Sequence, residues 1–380
     1  MAARVDAVDV ARGVALIGMM LVHVGPRGEF GEAPPLGDIV AGGRAAPLFA
    51  MLAGVALTLV HRRDPDGAGS VRATVVRCVL LIALGLGLGS IDDMPAFIIL
   101  AFYGLMIVVA MPFRSLSTRV LAIVALAWIA LAPVLLIGVQ VLHDPVPLRQ
   151  PELSQLPNPL DLLAELIVWG AYPAGVWMAY LLVGLLVGRL DLRRSDIAWR
   201  LAGVGAALVA STVSLAYVLF STGAMDDRHA LGWPVLFSQR VYPYEEARWG
   251  DLLLLGVHSS TPLNVISSIG SALLVIGLCA AVVRAPWAEL LILPLRAAGS
   301  MTLTLYTIHV LWFWRATSAA DAPALLAPGS YQHWLLQVVV LCTAAMIWRQ
   351  LVGRGPLEWL MRVLSVDVWQ RGDARKNAPT

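Results

Sequence analysis

The stretch that decides the fold is Asp6-Ala7-Val8-Asp9-Val10-Ala11-Arg12-Gly13, followed by an apolar run from Val14 to His23. Arg12 stands at the entry of this run and His23 at its far end. On an α-helix, eleven steps of about 100° return to nearly the same face, roughly 16 Å further along the axis. Asp9 lies on that face as well. Because charge inside hydrocarbon is costly, this polar stripe on an apolar helix indicates a functional site.

The composition places the whole chain in a membrane. Of its 380 residues 59% are hydrophobic and 14% are charged, and the mean hydropathy is +0.77. Soluble domains carry about 25% charged residues, and the apolar residues here fall in long runs. The sequence therefore predicts an all-α, polytopic transmembrane helical bundle. The net charge of +2 says nothing about a nucleic-acid partner, but the sequence has no basic patch with interleaved aromatics and predicts none.

The apolar runs predict about ten spans, the first of them a permanent span and not a cleaved signal peptide. They lie at roughly 8–25, 44–61, 74–91, 94–112, 118–142, 172–190, 197–222, 261–283, 296–314 and 331–350. The three cysteines each lie inside an apolar run without metal-ligand spacing, so neither a disulfide nor a metal site is predicted.

Loop charge predicts the orientation. With the N-terminus in the cytoplasm, 20 of the 27 basic residues fall on the cytoplasmic side, as the positive-inside rule requires. The seven on the other side are Arg27, Arg44, Arg149, Arg228, Arg240, Arg248 and Arg315. An N-in and C-in topology is expected.

Three segments outside the spans carry further predictions. Residues 160–169 are too short to span and predict an interfacial or re-entrant helix, broken by Pro173 with no counterpart in the other half of the chain. Residues 223–260 mix acidic residues with aromatics, which suits either a sugar acceptor or a solvated loop with an aromatic belt. Residues 355–362 predict a short amphipathic helix.

Three of the seven histidines are expected at one level of the membrane. His23 ends the first span, His309 lies in the outer half of the ninth, and His258 precedes the eighth. Tyr306 shares a helical face with His309, and Arg44 opens the second span at the same level. The other histidines, His61, His143, His229 and His333, are interpreted as ordinary surface positions at loop edges.

This set of side chains suits proton transfer. A neutral imidazole can accept a proton during attack on an activated acyl group, or carry the acyl group itself. An arginine can stabilise a developing oxyanion or hold an anionic group. The alternative is that His23 and His309 only join helices through hydrogen bonds, worth about 1 kcal/mol each.

The residues also resemble known families. Arg12 and His23 match the R-x10-H pattern in the first span of the membrane-bound acyltransferase 3 family. The first two spans of heparan-alpha-glucosaminide N-acetyltransferase-like proteins resemble residues 8–15 with 19–23, and Pro47-Leu48-Phe49-Ala50-Met51-Leu52-Ala53-Gly54. The C-terminal half resembles the DUF418 (YeiB-like) family of bacterial proteins. The matching pieces there are Tyr172-Pro173, residues 180–192, His258-Ser259-Ser260-Thr261-Pro262, residues 298–306 and Gly355-Pro356-Leu357-Glu358.

The resemblance implies acyl transfer across a membrane, with cytosolic acetyl-CoA or another acyl-CoA as donor and an extracytoplasmic acceptor, often a sugar. One departure concerns the catalytic histidine, which the lysosomal member carries in its first luminal loop. Residues 25–44 contain no histidine here, so the R-x10-H match assigns the catalytic role to His23.

The sequence therefore predicts a multi-pass plasma-membrane acyltransferase that acylates an extracytoplasmic hydroxyl or amine. The candidate catalytic residues are His23, Arg12 and His309, and the candidate substrate-binding residues are Asp9, Arg44, His258 and Tyr306. The expected partners are lipids, acyl-CoA and a glycan acceptor, with a homodimer as a further expectation. The predicted domains are 1–190, 191–370 and a disordered tail at 371–380. The alternative is a transporter or flippase, which inverted repeats or paired broken helices would favour.

Overall fold

The secondary structure is helical throughout the described part of the chain. The computed structural model describes residues 6–26, 35–63, 68–144, 148–223, 247–318, 327 and 329–367, and no strand occurs among them. The α-helices are α1 (Asp6–Val24), α2 (Leu36–Ala41), α3 (Ala45–Arg63), α4 (Ala68–Gly89), α5 (Leu100–Ala110), α6 (Thr118–Leu142), α7 (Pro159–Ala164), α8 (Ala174–Val187), α9 (Ser195–Ser221), α10 (Pro262–Val282), α11 (Glu289–Ser300), α12 (Thr302–Ser318), α13 (Tyr331–Leu351) and α14 (Pro356–Arg362). The all-α prediction is confirmed.

Seven helices in the described ranges are long and apolar enough to cross a membrane, or up to nine if each bent pair of helices forms one span. This confirms a polytopic membrane protein. The remaining predicted span corresponds to Leu100–Ser115, where α5 and a 3₁₀ turn form a shorter apolar helix. The direction in which the chain crosses the membrane stays a prediction.

The predicted span at 94–112 starts later than its hydropathy suggests, because Pro95 precedes an irregular segment and α5 begins only at Leu100. Backbone groups of this segment are satisfied by side chains from elsewhere. The Ile98 amide donates to Gln150 Oε1 at 2.9 Å, and the Tyr172 hydroxyl donates to the Phe97 carbonyl at 3.2 Å. Such partners are what allow non-helical backbone to be buried inside a bundle.

Within the described residues two pairs of helices are bent, one pair in each half of the chain. Residues 159–169 meet α8 at an angle of 63°, with Pro173 as the residue before α8. This is the predicted break. A second break of 83° separates α11 from α12 at Met301. The expectation that the first break has no counterpart was therefore wrong. The second break follows Gly299-Ser300, a glycine–serine pair of the kind found at sharp helix kinks.

The second break is stabilised by a carboxylate from the C-terminal helix. Glu358 in α14 accepts hydrogen bonds from the amides of Leu303 and Thr304 at 2.8 and 3.2 Å, and from the Thr304 hydroxyl at 2.6 Å. It thereby satisfies amides that lack a partner in the first turn of α12. The predicted short helix at 355–362 is present as α14 and caps α12.

Helix α1 lies centrally, in contact with α2, α3, α10, α11, α12 and α13. Its approach to α11 is especially close. A Cβ atom at Gly13 would collide with the Leu295 carbonyl, and one at Gly299 would collide with the Asp9 carbonyl. The two glycines therefore let the backbones of α1 and α11 touch where the polar stripe begins.

The described cysteines, Cys78, Cys279 and Cys342, are free thiols buried in the bundle. The division into domains at residues 190 and 370 stays a prediction, and the predicted tail at 371–380 lies outside the described residues.

Candidate functional site

Ion pairs between described residues hold the charged end of α1. Arg12 pairs with Asp9 on the same helix, with 3.3 Å between Nη1 and Oδ1, and Arg296 of α11 pairs with Asp6 at 3.7 Å. The Asp9 side chain is only 2% exposed and that of Arg12 is 25% exposed. A buried carboxylate needs a cation nearby. The predicted helical register places Arg12 where it can form this ion pair with Asp9.

At the other end of α1, His23 contacts His309 of α12. The distance between His23 Nδ1 and His309 Nε2 is 2.9 Å, which is a hydrogen bond. The two rings are parallel to within 3°, and Phe313 lies parallel to His23 with its centroid 6.1 Å away. Both histidines are buried, His309 completely. The bundle thus brings together two histidines separated by 286 positions.

The contact continues into α13. His309 Nδ1 lies 2.6 Å from Oε1 of Gln337, and Gln337 Nε2 lies 2.9 Å from Nε2 of His333. We refer to His23, His309, Gln337 and His333 as the histidine chain. Gln337 and His333 have no exposed surface, so the interpretation of His333 as a surface residue was wrong.

The sequence carried a signal for these two residues. His333 and Gln337 are spaced by four, which places both on one face of an apolar helix. This face of α13 is buried because hydrogen bonds hold the start of α13 against α1. The Trp334 indole donates to the Ile17 carbonyl at 3.2 Å, and the Gly329 amide donates to the Val24 carbonyl at 3.1 Å.

His258 lies in an aromatic cluster separate from the histidine chain. Its ring stacks on Trp177 at a centroid distance of 6.0 Å and meets the edge of Tyr172 at 5.6 Å. Burial lowers the pKa of His258 to about 4, so it is neutral near pH 7. His258 and Ser260 have φ angles of 61° and 55°, a left-handed backbone that is rare outside glycine and often found at functional sites.

Tyr306 belongs with this cluster, and the residue before Arg44 packs against the neighbour of His258. Tyr306 is buried beside Tyr172 and the backbone of Ile99. Arg44 donates from Nη1 to the Gly42 carbonyl at 3.1 Å. Gly43, which precedes Arg44, packs against Val257, and Val257 precedes His258 in the chain.

Two groups of candidate residues meet around residues 96–99. Val24, Ala96 and Phe313 form one buried cluster on the side of the histidine chain. On the other side, the Tyr172 hydroxyl binds the Phe97 carbonyl. Arg12 and Asp9 lie apart from both groups, about three and four turns from His23 along α1. Most of the polar and aromatic loop expected to meet a sugar falls at residues 224–246, outside the described residues.

Comparison with known proteins shows the family to which this chain belongs. The family model described as "Heparan-alpha-glucosaminide N-acetyltransferase, catalytic" matches residues 4–217, which is more than half of the chain. A comparison of this chain with curated proteins found no match. The matched region includes the polar stripe, His23 and the aromatic residues of α8. Together with the apolar helices, the match establishes that this chain is a membrane protein of the heparan-alpha-glucosaminide N-acetyltransferase family.

Proposed function

We propose that the protein is a multi-pass plasma-membrane acyltransferase. It moves an acetyl or short acyl group from cytosolic acyl-CoA to a hydroxyl or amine of an extracytoplasmic, sugar-containing acceptor. The family supports the acetyl transfer. The observation that carries the proposal for this chain is the buried pair of His23 and His309, whose nitrogens lie 2.9 Å apart.

His23 acts as the base in this proposal. It takes the proton from the acceptor hydroxyl or amine while the acceptor oxygen or nitrogen attacks the thioester carbonyl. The carbon–sulfur bond then breaks, and the CoA sulfur leaves with the proton that His23 returns. His309 holds the His23 ring and stabilises the positive charge that His23 carries between the two proton transfers.

Arg12 orients the donor at the charged end of α1. Its guanidinium is partly exposed while its partner Asp9 is buried, so it can bind a phosphate of CoA without leaving the carboxylate. The thioester would then reach His23 through an extended arm, since Arg12 and His23 are roughly 16 Å apart along the helix.

The acceptor is bound by the aromatic cluster. Stacked rings such as Trp177 and His258 suit the apolar face of a sugar, and Arg44 and Tyr306 supply polar groups beside it. A neutral His258 can donate one hydrogen bond and accept another.

Labelled acetyl-CoA supplied to the cytoplasmic face of proteoliposomes tests the proposal. We expect label on an enclosed sugar or amine in the wild type and none with His23→Ala. The matched control is His143→Ala, because His143 is exposed at the end of α6. Label that stays on the protein and not on the acceptor would contradict direct transfer and make His23 an acyl carrier.

A transporter or flippase is the second candidate. It is favoured by the two broken helix pairs, bent by 63° and 83° in the two halves of the chain, because such breaks build binding sites in transporters. Movement of unmodified substrate across proteoliposomes, at equal rates with and without acyl-CoA and unaffected by His23→Ala, would favour transport over acyl transfer.

A further inference from the structure

The histidine chain obeys a strict pattern of donors and acceptors. A neutral imidazole carries one N–H and one lone pair, whereas a glutamine amide accepts at Oε1 and donates at Nε2. Each contact of the chain must therefore pair one donor with one acceptor. Once the orientation of the Gln337 amide is fixed, the protons on all three histidines are fixed as well.

The orientation of Gln337 sets the direction of the chain. Its Oε1 lies 2.6 Å from His309 Nδ1, so His309 Nδ1 carries the proton and donates. His309 Nε2 is then the lone pair, and at 2.9 Å it accepts from Nδ1 of His23. His23 consequently carries its proton on Nδ1, and its lone pair lies on Nε2.

The other end of the chain is consistent with this direction. Gln337 Nε2 donates to His333 Nε2 at 2.9 Å, which puts the proton of His333 on Nδ1. The Ala327 carbonyl lies beside the His333 ring. Turning the Gln337 amide would reverse every donor and place the His23 proton on Nε2.

We infer that Gln337 and His333 are positioning residues that fix the tautomer of His23. Neither residue lies in the region matched by the family model, which ends at residue 217. Through His309 they keep the Nε2 atom of His23 as the basic nitrogen. The inference rests on the proposed function in one respect, namely that His23 Nε2 serves as the base in acyl transfer.

The direct test is ¹⁵N NMR of the full-length protein in nanodiscs, with labelled histidine. One-bond N–H couplings and ¹⁵N shifts distinguish protonated from unprotonated ring nitrogens. Signals of His23 and His309 are assigned by their loss in His23→Asn and His309→Asn. We expect a proton on Nδ1 of both residues near pH 7. A proton on Nε2 of His23, or an equal mixture of tautomers, would overturn the inference.

Variants then test the role of Gln337. Gln337→Met keeps the volume but removes both hydrogen bonds, so His23 should show both tautomers. We expect kcat for acyl transfer to fall at least about tenfold with KM unchanged, since a wrong tautomer impairs a catalytic histidine. The matched control is Gln140→Met, at another buried glutamine on α6 that lies outside the chain. Unchanged kcat and an unchanged His23 tautomer in Gln337→Met would contradict the positioning role.

His333→Phe provides a milder change. It keeps a ring but removes the acceptor for Gln337 Nε2, so the amide can turn and a minority of the reversed tautomer should appear. If Gln337→Met does not fold, the wild-type spectrum still decides the assignment. A wild-type protein with the expected tautomer but no acyl transfer would overturn the proposed function and leave the tautomer assignment intact.

Discussion

At the scale of single residues, His258 should make stability depend on pH. Its pKa is lowered by burial from 6.5 to about 4, so the unfolded chain binds a proton at a higher pH than the folded protein does. The contribution to stability is complete above about pH 6.5 and is lost as the pH falls toward 4. Because the His258 side chain is half-buried and the effect is therefore partly screened by solvent, we expect a loss of about 1–2 kcal/mol between pH 7 and pH 5.

The comparison of wild type with His258→Phe measures this effect. Phenylalanine keeps a ring against Trp177 and Tyr172 but does not titrate. The thermal midpoint should fall less between pH 7 and pH 5 in the variant than in the wild type. Equal decreases in both proteins would show that His258 does not titrate as proposed.

The sequence predicted the helix face, the membrane level or the burial correctly for some residues and not for others. His23 and Asp9 were placed on one face by helical period alone, and His309 was expected at the level of His23. The contact between His23 and His309 joins α1 to α12, and hydropathy alone does not predict the bend between α11 and α12 that precedes it. His333 was misplaced because a residue two positions into a helix is exposed or buried according to its neighbours, here Trp334 and Gly329 bound to α1.

At the scale of elements, the close approach of α1 and α11 depends on Gly299. In Gly299→Ala the added Cβ would collide with the Asp9 carbonyl, so the helices must move apart. We expect a loss of about 1–3 kcal/mol, as for other overpacked interiors.

Gly203→Ala in α9 is the matched control for Gly299→Ala. A Cβ at Gly203 meets no atom within 4 Å, so this change should be neutral or stabilising by up to about 1 kcal/mol. Thermal unfolding in detergent measures both variants. A Gly299→Ala protein as stable as Gly203→Ala would contradict the described packing of α1 on α11.

The start of α12 should depend on Glu358. Glu358→Ala removes three hydrogen bonds to the first turn of α12 and should lower stability by about 1–3 kcal/mol. Glu289→Ala is the comparison, because Glu289 is exposed in the first turn of α11 and should matter by less than about 1 kcal/mol. Similar losses in the two variants would show that Glu358 does not support α12 specifically.

Helix boundaries followed the sequence where a local signal exists. Pro173 marks the start of α8, and Pro95 explains why α5 begins late. The break at Met301 has only the weaker local signal of Gly299-Ser300. Its support comes from Glu358, more than fifty residues further along the chain. Hydropathy therefore predicted one continuous span at 296–314 where the structure has two helices.

At the scale of the whole molecule, the N-in topology can be tested with single cysteines. The described native thiols are buried, so their background labelling is low. Asp144→Cys lies beyond the end of α6 and Arg193→Cys between α8 and α9, both at exposed positions. An impermeant thiol reagent should label residue 144 in intact cells and residue 193 only after permeabilisation. The reverse pattern would contradict the predicted topology.

The central proposal is that His23 acts as the base in acyl transfer, and single-turnover tracing in oriented proteoliposomes tests it most directly. Labelled acetyl-CoA is added at the cytoplasmic face, and label is followed on an enclosed amine or sugar for wild type, His23→Ala and His143→Ala. We predict transfer by wild type and His143→Ala, and a loss of at least about 100-fold with His23→Ala. Equal transfer by wild type and His23→Ala would contradict the account.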